Sequence, residues 1–461
     1  MVAEAPGGQE TVAPANGAAR ASMLPPGPRA PAIAQTLLWA LAPAWLMRTC
    51  ASRLGDSFTL TFAPSGVRVV IVSDPDEVKT LFTAGVALSG GAESPVAAVM
   101  GPNSIIVLTG PEHMRQRKLL LPPFHGERMR DYEQVILQAT RREMASWPMG
   151  EQMSVEPRSR AITLEVILRA VFGVEADRMS ALRETIEALL VSPSAFALLR
   201  ASFRARAMAM APPTTGPFAQ ALSRLDALIL AEIASRRESA DLAERADILS
   251  LLLLARDEDG EAMSDAELRD ELVTLLVAGH DTTATSIAWV FERLVRHPDK
   301  LARLIAEIDE GEDDRYLTAV INETLRVRPV VPRAGRVLTE QLRVGSWDLP
   351  AGTRVLVSIY LTNRNAQAYG DPDAFRPERF LENAPETFSW IPFGGGIRRC
   401  IGASFAQHEV KLIVRTILSE LEPTMPRRRP WRRDETISRR GTTLAPGAGA
   451  QVVWRRRHAR T

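Results

Sequence analysis

Cys400 stands in the segment Phe393-Gly-Gly-Gly-Ile-Arg-Arg-Cys400-Ile-Gly402. A thiolate that ligates iron in a flat macrocycle needs backbone lying close to that ring. Three successive glycines permit such an approach and the unusual φ/ψ values it demands. A turned backbone can aim N–H groups at the sulfur and tune the metal. Cys400 also directly precedes a predicted helix, whose N-terminal partial charge favours thiolate over thiol. Phe393 would supply an apolar wall, and Arg398 a cation for an acidic edge of the ring. The competing reading is a buried structural Cys after a Gly-rich turn, the commoner fate of a lone cysteine.

Further constellations carry chemistry. Ala278-Gly279-His280-Asp281-Thr282-Thr283 interrupts an otherwise apolar helical pattern. Gly and Thr are poor in a helix interior, and a Thr hydroxyl can bond back one turn and bend the helix. These choices suit O2 lying against the backbone at Ala278 and Gly279, beside an acid–alcohol pair, Asp281 and Thr282. Glu323 and Arg326 are three residues apart on one helix face, and Phe375-Arg-Pro-Glu-Arg379-Phe380 follows downstream. His113 and Arg117 are one helical turn apart and face one way.

These residues need elements to hold them. The clearest helix runs from Ser264 to His297, opened by a Ser264/Glu267 capping box and stopped by Pro298. At ~1.5 Å per residue it is on the order of 50 Å long, enough to cross the molecule. The chain from about Asp74 to Arg326 reads mostly as helices, and a last amphipathic helix covers about Gly402–Leu421. Short strands are expected at Ser57–Phe62, Arg68–Val72, Leu342–Val344 and Arg354–Ile359, with a closing β-hairpin of Thr442–Pro446 and Val452–Trp454. Ala30 to Met47 is uncharged and is read as one soluble core helix rather than a membrane span, because it is Ala-rich and contains Pro31 and Pro43.

In combination these motifs resemble the cytochrome P450 superfamily, in family order from Pro25 to Pro446. The cysteine loop matches at Phe393, Gly396, Arg398, Cys400 and Gly402. The resemblance implies a mainly α (α+β) fold, a triangular prism with a long central helix and a small β-rich lobe drawn from 50–75 and 330–360. Residues 1–22 would form a disordered N-terminal segment and 23–461 the catalytic domain. It further implies haem b, with Cys400 as the iron ligand and His113, Arg117, Arg333 and Arg398 holding its propionates. Asp281 and Thr282 would manage proton delivery. Glu323, Arg326 and Arg379 would form a buried cluster beneath the cysteine loop. Family position places pocket walls at 92–107, 274–278, 330–334 and 442–444. Their candidate side chains are Val96, Val99, Met100, Ile105, Val277, Val331 and Leu444, an apolar set that suits a lipophilic substrate such as a fatty acid or terpenoid. One departure from the pattern is the short acidic link between Ile308 and Tyr316.

Composition narrows the partners. Lys+Arg is 56 and Asp+Glu 55, so a net charge of +1 gives no bulk attraction to nucleic acid or anionic membrane. Two cysteines exclude a disulfide scaffold and cannot hold a [2Fe–2S] cluster. Electrons are therefore expected from a separate ferredoxin or flavodoxin with its reductase, docking near Arg115, Lys118 and Arg399. The expectation is a cytoplasmic monomer without a transmembrane anchor. Three alternatives stay open: an enzyme that rearranges or couples its substrate without net oxygen insertion, a peroxide-driven relative, and a haem sensor.

Overall fold

The computed structural model describes residues 24–85, 88–89, 97–124, 128–173, 176–190, 216–311, 313–383, 385–426, 435–440 and 442–457. The 1–22 segment and Val96 lie outside them. The helices that matter for the site are α1 (Ala32–Leu41), α2 (Pro43–Leu54), α3 (Pro75–Thr83), α4 (Gly110–Leu120), α5 (Val155–Phe172), α6 (Asp265–Arg296), α7 (Arg315–Val327) and α8 (Ala403–Glu420).

The central helix α6 forms as its sequence predicts. Ser264 Oγ accepts from the Glu267 N–H at 3.3 Å, and Glu267 Oε2 accepts from the Ser264 N–H at 2.8 Å. Together they satisfy two donors that a helix start leaves open. Pro298 follows its C-terminal cap and starts the next helix. From Ala284 to Leu294 every residue of α6 is buried, so this half is surrounded by protein rather than amphipathic. Helix α5 runs against α6, and α8 crosses it. The main apolar core lies among these helices and takes in Trp454, which packs on Trp147 and Phe291 at 5.1 Å between ring centroids.

The β-rich part is a five-stranded sheet in the order Ser57–Phe62, Val67–Val72, Arg354–Val357, Ala334–Leu338, Leu88–Ser89. Its two faces bury separate apolar clusters, one around Val72, Leu81 and Phe82, the other around Leu46, Phe58 and Leu60. The Pro-rich stretch before α1 lies along the first strand, where Thr59 donates to Pro26 O at 2.9 Å and to Pro25 O at 2.6 Å.

Three expectations are corrected. The 30–47 stretch is two helices, because Ala42 leaves helical geometry and Pro43 begins the second. It is not a core helix, since Ile33, Leu37, Leu41 and Trp45 are exposed. Among the described residues no helix is long and apolar enough to cross a membrane. The strand starting at Arg354 ends at Val357, where Ser358 Oγ accepts from the Leu361 N–H at 3.3 Å and starts a short helix, Ile359–Thr362. Finally, Thr443–Pro446 and Gln451–Arg456 do not pair with each other. The first pairs with Ile437–Arg440 as a two-stranded hairpin, and the second joins Leu421–Thr424 and Gln152–Ser154.

Candidate active site

The cysteine loop is built from turns. Gly394 and Gly396 have φ of 68° and 65°, where an L side chain is strained. Gly395 is extended, and a Cβ there would run into the Phe82 ring, while one on Gly396 would meet the Phe82 carbonyl oxygen. The triple glycine therefore lets the loop lie on α3, a reason the sequence did not disclose. The Cys400 N–H donates to Phe393 O at 3.0 Å and closes the loop. Helix α8 starts three residues later. The Cys400 side chain is exposed, yet desolvation by the protein packed around it pushes its thiol up, against the pull of the Gly402 N–H, Arg399 and Arg117. A thiol in that setting becomes a thiolate when a metal takes the place of its proton.

Three guanidinium groups, Arg398, Arg117 and Arg336, gather around His113. Arg398 donates to Ile105 O at 3.4 Å and to Leu108 O, while its buried Nε has no partner. Burial and Arg117 bring its pKa down to about 10. Arg336 is brought down to about 10 as well, by burial and by Arg398. Arg117 on α4 is lowered by burial, partly offset by Cys400. One turn earlier His113 is 2% exposed with Nδ1 unpartnered. Burial, then Arg398, Arg117 and Arg336, depress it to about 4, so the ring is neutral at physiological pH. Among the described residues no carboxylate is among the groups shifting these four. Converging cations without a counter-charge suit a buried dianion, and a thiolate beside them suits a metal macrocycle bearing two carboxylates.

Arg333 places its guanidinium 4.9 Å over the Trp39 ring, and burial and Arg439 depress it to about 10. Arg336, three residues on along extended chain, projects to the opposite side. The parity of the strand was the signal that could have found Arg336.

In α6 the Thr282 hydroxyl donates to Ala278 O at 2.7 Å. Gly279 has a packing reason as well: a Cβ there would sit 3.2 Å from Ile167 Cδ1 on α5. Asp281 takes Arg160 on one oxygen and Thr443 Oγ1, at 3.2 Å, on the other. His280 is buried against Thr163, with Nδ1 at 2.9 Å from its hydroxyl.

Glu323 and Arg326 are both fully buried, joined at 2.7 and 2.8 Å. Arg379 Nε reaches Glu323 at 3.2 Å, and the Arg376 N–H donates to it at 2.7 Å. Arg326 also donates to Asn363 O, Pro372 O and Ala374 O at 3.0, 2.7 and 2.9 Å. Asn363, which the sequence did not single out, then accepts from the Ile391 N–H at 3.1 Å. Ile391 lies two residues before Phe393, so this contact leads from the cluster to the cysteine loop.

The segment preceding α4 is held by two further residues missed from sequence. Asp270 accepts from the Asn103 N–H, and Glu271 from the Ile105 N–H, each at 2.8 Å. Burial raises Glu271 to about 8. Two adjacent acids in the buried stretch of an apolar helix were the available signal. Of the pocket candidates, Val99 and Ile105 belong to the main core, Val277 packs against it, Met100 is buried and Val331 half-buried. Leu444 lines a small cavity together with Trp289, Val327, Pro329 and Tyr360. Two of the expected docking cations are already engaged. Arg115 pairs with Asp257 and Glu267 at 2.5 and 2.6 Å, and Lys118 with Glu258 at 2.7 Å. Arg399 is exposed.

A family model described as Cytochrome P450 matches residues 25–447. "Putative cytochrome P450 137" of Mycobacterium tuberculosis H37Rv is 41% identical over 407 residues, covering 87% of this chain and 84% of that protein. "Putative cytochrome P450 138" of Mycobacterium bovis is 36% identical over 450 residues, covering 97% and 99%. A solved structure titled "Retinoic acid bound cyanobacterial CYP120A1" superposes with a TM-score of 0.78 at 24% identity, covering 94% and 99%, a likeness of fold. These matches show that the chain belongs to the cytochrome P450 family of haem-thiolate monooxygenases, with haem b as its cofactor.

Proposed function

We propose that this enzyme inserts one oxygen atom of O2 into a lipophilic substrate of the fatty-acid or terpenoid kind, in the cytoplasm, as a monomer fed by a separate ferredoxin or flavodoxin. Cys400 would ligate the iron, and Phe393 would wall the ligand loop. His113, Arg117, Arg336 and Arg398 would hold the propionates. Haem b with a thiolate ligand supplies the capacity to activate O2. The lipophilic substrate class follows from the apolar candidates Val99, Met100, Ile105 and Val277.

The observation that carries oxygen insertion, rather than rearrangement, is the Thr282 hydroxyl bonded to Ala278 O at 2.7 Å, beside an acid at 281. A hydroxyl that already has an acceptor can hold a proton at a fixed point on the helix. Asp281 can replenish that proton from solvent. Gly279 keeps the helix close to Ile167 on α5.

Thr282→Ala tests this. Fold, haem content and the substrate-induced absorbance change are expected to persist. Product per reductant should fall about tenfold while hydrogen peroxide rises to match. Product, peroxide and reductant counted together in parent and variant decide it, and equal coupling in both would favour the rearranging and peroxide-driven alternatives.

Arg336→Gln is expected to speed haem transfer to an excess of apomyoglobin by about tenfold, through loss of a charge-assisted hydrogen bond. Arg333→Gln should leave that rate within about twofold. The reverse order would favour Arg333 over Arg336 as a propionate partner.

A further inference from the structure

Arg333 is a cation in a half-buried place. Its guanidinium lies over the Trp39 ring of α1, a contact that uses none of its N–H donors. Among the described residues no carboxylate, carbonyl or hydroxyl accepts from it. Besides burial, the group that shifts it is a second cation, Arg439. Arg439 has contacts of its own, so Arg333 is the one of the two with donors to offer. An arginine leaving water is costly unless its charge is paired. Two arginines drawn together therefore suit an anion supplied from outside the chain.

The ground beside these cations is apolar. Arg439 stands on the Ile437–Arg440 strand, directly opposite Leu444. Cross-strand partners and alternate residues share a face, so Ile437, Arg439 and Leu444 project from one side of the hairpin. Ile437 and Leu444 line the small cavity with Trp289, Val327, Pro329 and Tyr360, and Ile437 is exposed at its edge. Three hydrogen bonds tie the parts together. The Leu444 N–H donates to Val330 O at 2.8 Å, the Tyr360 N–H to Pro332 O at 3.0 Å, and Trp289 Nε1 to Leu444 O at 2.9 Å. The hairpin, the 330–333 segment and α6 therefore hold a fixed relation, with cations at one end of an apolar strip.

We propose that Arg333, aided by Arg439, binds the carboxylate of a fatty-acid substrate whose chain lies along Ile437 and Leu444. The inference deepens the reading of a lipophilic substrate above and rests on it. A fatty acid carries one charge at one end of an apolar chain, which is the pattern these side chains present. A terpenoid hydrocarbon or a neutral ester offers the two arginines no charge to pair with. Arg333 thus sets a preference for free acids over neutral lipids, because charge-assisted hydrogen bonds are the strong ones.

The test titrates the full holoprotein with decanoate, tetradecanoate and octadecanoate and with the matching primary alcohols, reading the haem absorbance change without turnover. In the parent the best acid should bind about tenfold more tightly than the alcohol of its length. Raised salt should shrink that preference. Arg333→Gln should weaken the acid about tenfold and the alcohol by no more than about twofold. Arg333→Lys, which keeps the charge, should recover part of the loss. Arg439→Gln should weaken the acid about threefold, because Arg439 is exposed. A parent that binds alcohol as tightly as acid overturns the proposal, as does an unchanged preference in Arg333→Gln. Haem transfer to apomyoglobin sped about tenfold in Arg333→Gln would make Arg333 a propionate partner and overturn it too. Should Arg333→Gln not fold, an unchanged preference in Arg439→Gln overturns it. Alcohols that bind while the preference for acid is absent sink this inference alone. Acids and alcohols that all fail to move the absorbance sink the lipophilic-substrate reading with it.

Discussion

Glu323→Ala is expected to give protein that holds little haem and unfolds at markedly lower denaturant or temperature than the parent. Glu323 accepts from two guanidinium groups and one backbone N–H, and it is fully buried with Arg326. Taking two charges out of water is costly, and here the cost is met by their pairing and by three carbonyls that accept from Arg326. Removing the carboxylate leaves Arg326 charged, dry and half-satisfied. Breaking such a buried pair costs about 3–5 kcal/mol, a large share of the stability of an ordinary domain. The haem deficit follows from connectivity, since Arg326, Asn363 and Ile391 form one path to the cysteine loop. Haem content from absorbance and an equilibrium denaturation curve check it. Parent-like melting with full haem would mean that the cluster contributes neither to stability nor to shaping the loop.

How much of this was legible in the residues depends on range. The capping box of α6 and the pairing of Glu323 with Arg326 lie within one helical turn, and local spacing determines both. The same is true of Thr282 and Ala278 O. The parity of Arg333 and Arg336 is also local, but it required knowing where an extended segment begins. The pairing of Thr443–Pro446 with Ile437–Arg440 was not legible, because every short C-terminal strand had several partners of equal propensity and tertiary packing chose among them.

Residues that hold the site from far along the chain were the least visible. Asn363, Asp270 and Glu271 have no motif of their own. Each is buried and polar, and each gains meaning only from a partner far along the chain. Sequence spacing cannot reveal such a partner, whereas a fold reveals it at once, because a buried polar group without one would be costly. The glycines of the cysteine loop show the same limit differently. Their number suggested a close approach, but Phe82, the side chain they approach, stands more than three hundred residues earlier.

Cys400→His is expected to abolish product formation while the protein still folds. The loop geometry rests on the Phe393 carbonyl, the glycine turns and the Arg398 contacts, none of which uses the sulfur. Imidazole can still ligate iron, so haem should enter. It is a neutral donor, however, and lacks the electron density with which a thiolate favours O–O cleavage. The reduced carbon-monoxide spectrum should lose its thiolate band, and hydroxylation should fall to background. Cys50→Ser is the control, because the chain contains just these two cysteines. Cys50 is buried in the apolar cluster of Leu46, Phe58 and Leu60, and burial pushes its thiol up. A serine hydroxyl buried there without a partner costs about 1–3 kcal/mol, so this variant should melt earlier with its spectrum unchanged. The two measurements separate cleanly: spectrum without stability for Cys400, stability without spectrum for Cys50. A thiolate band that survives in Cys400→His and disappears in Cys50→Ser would transfer the ligand role to Cys50 and remove the cysteine loop from the active site.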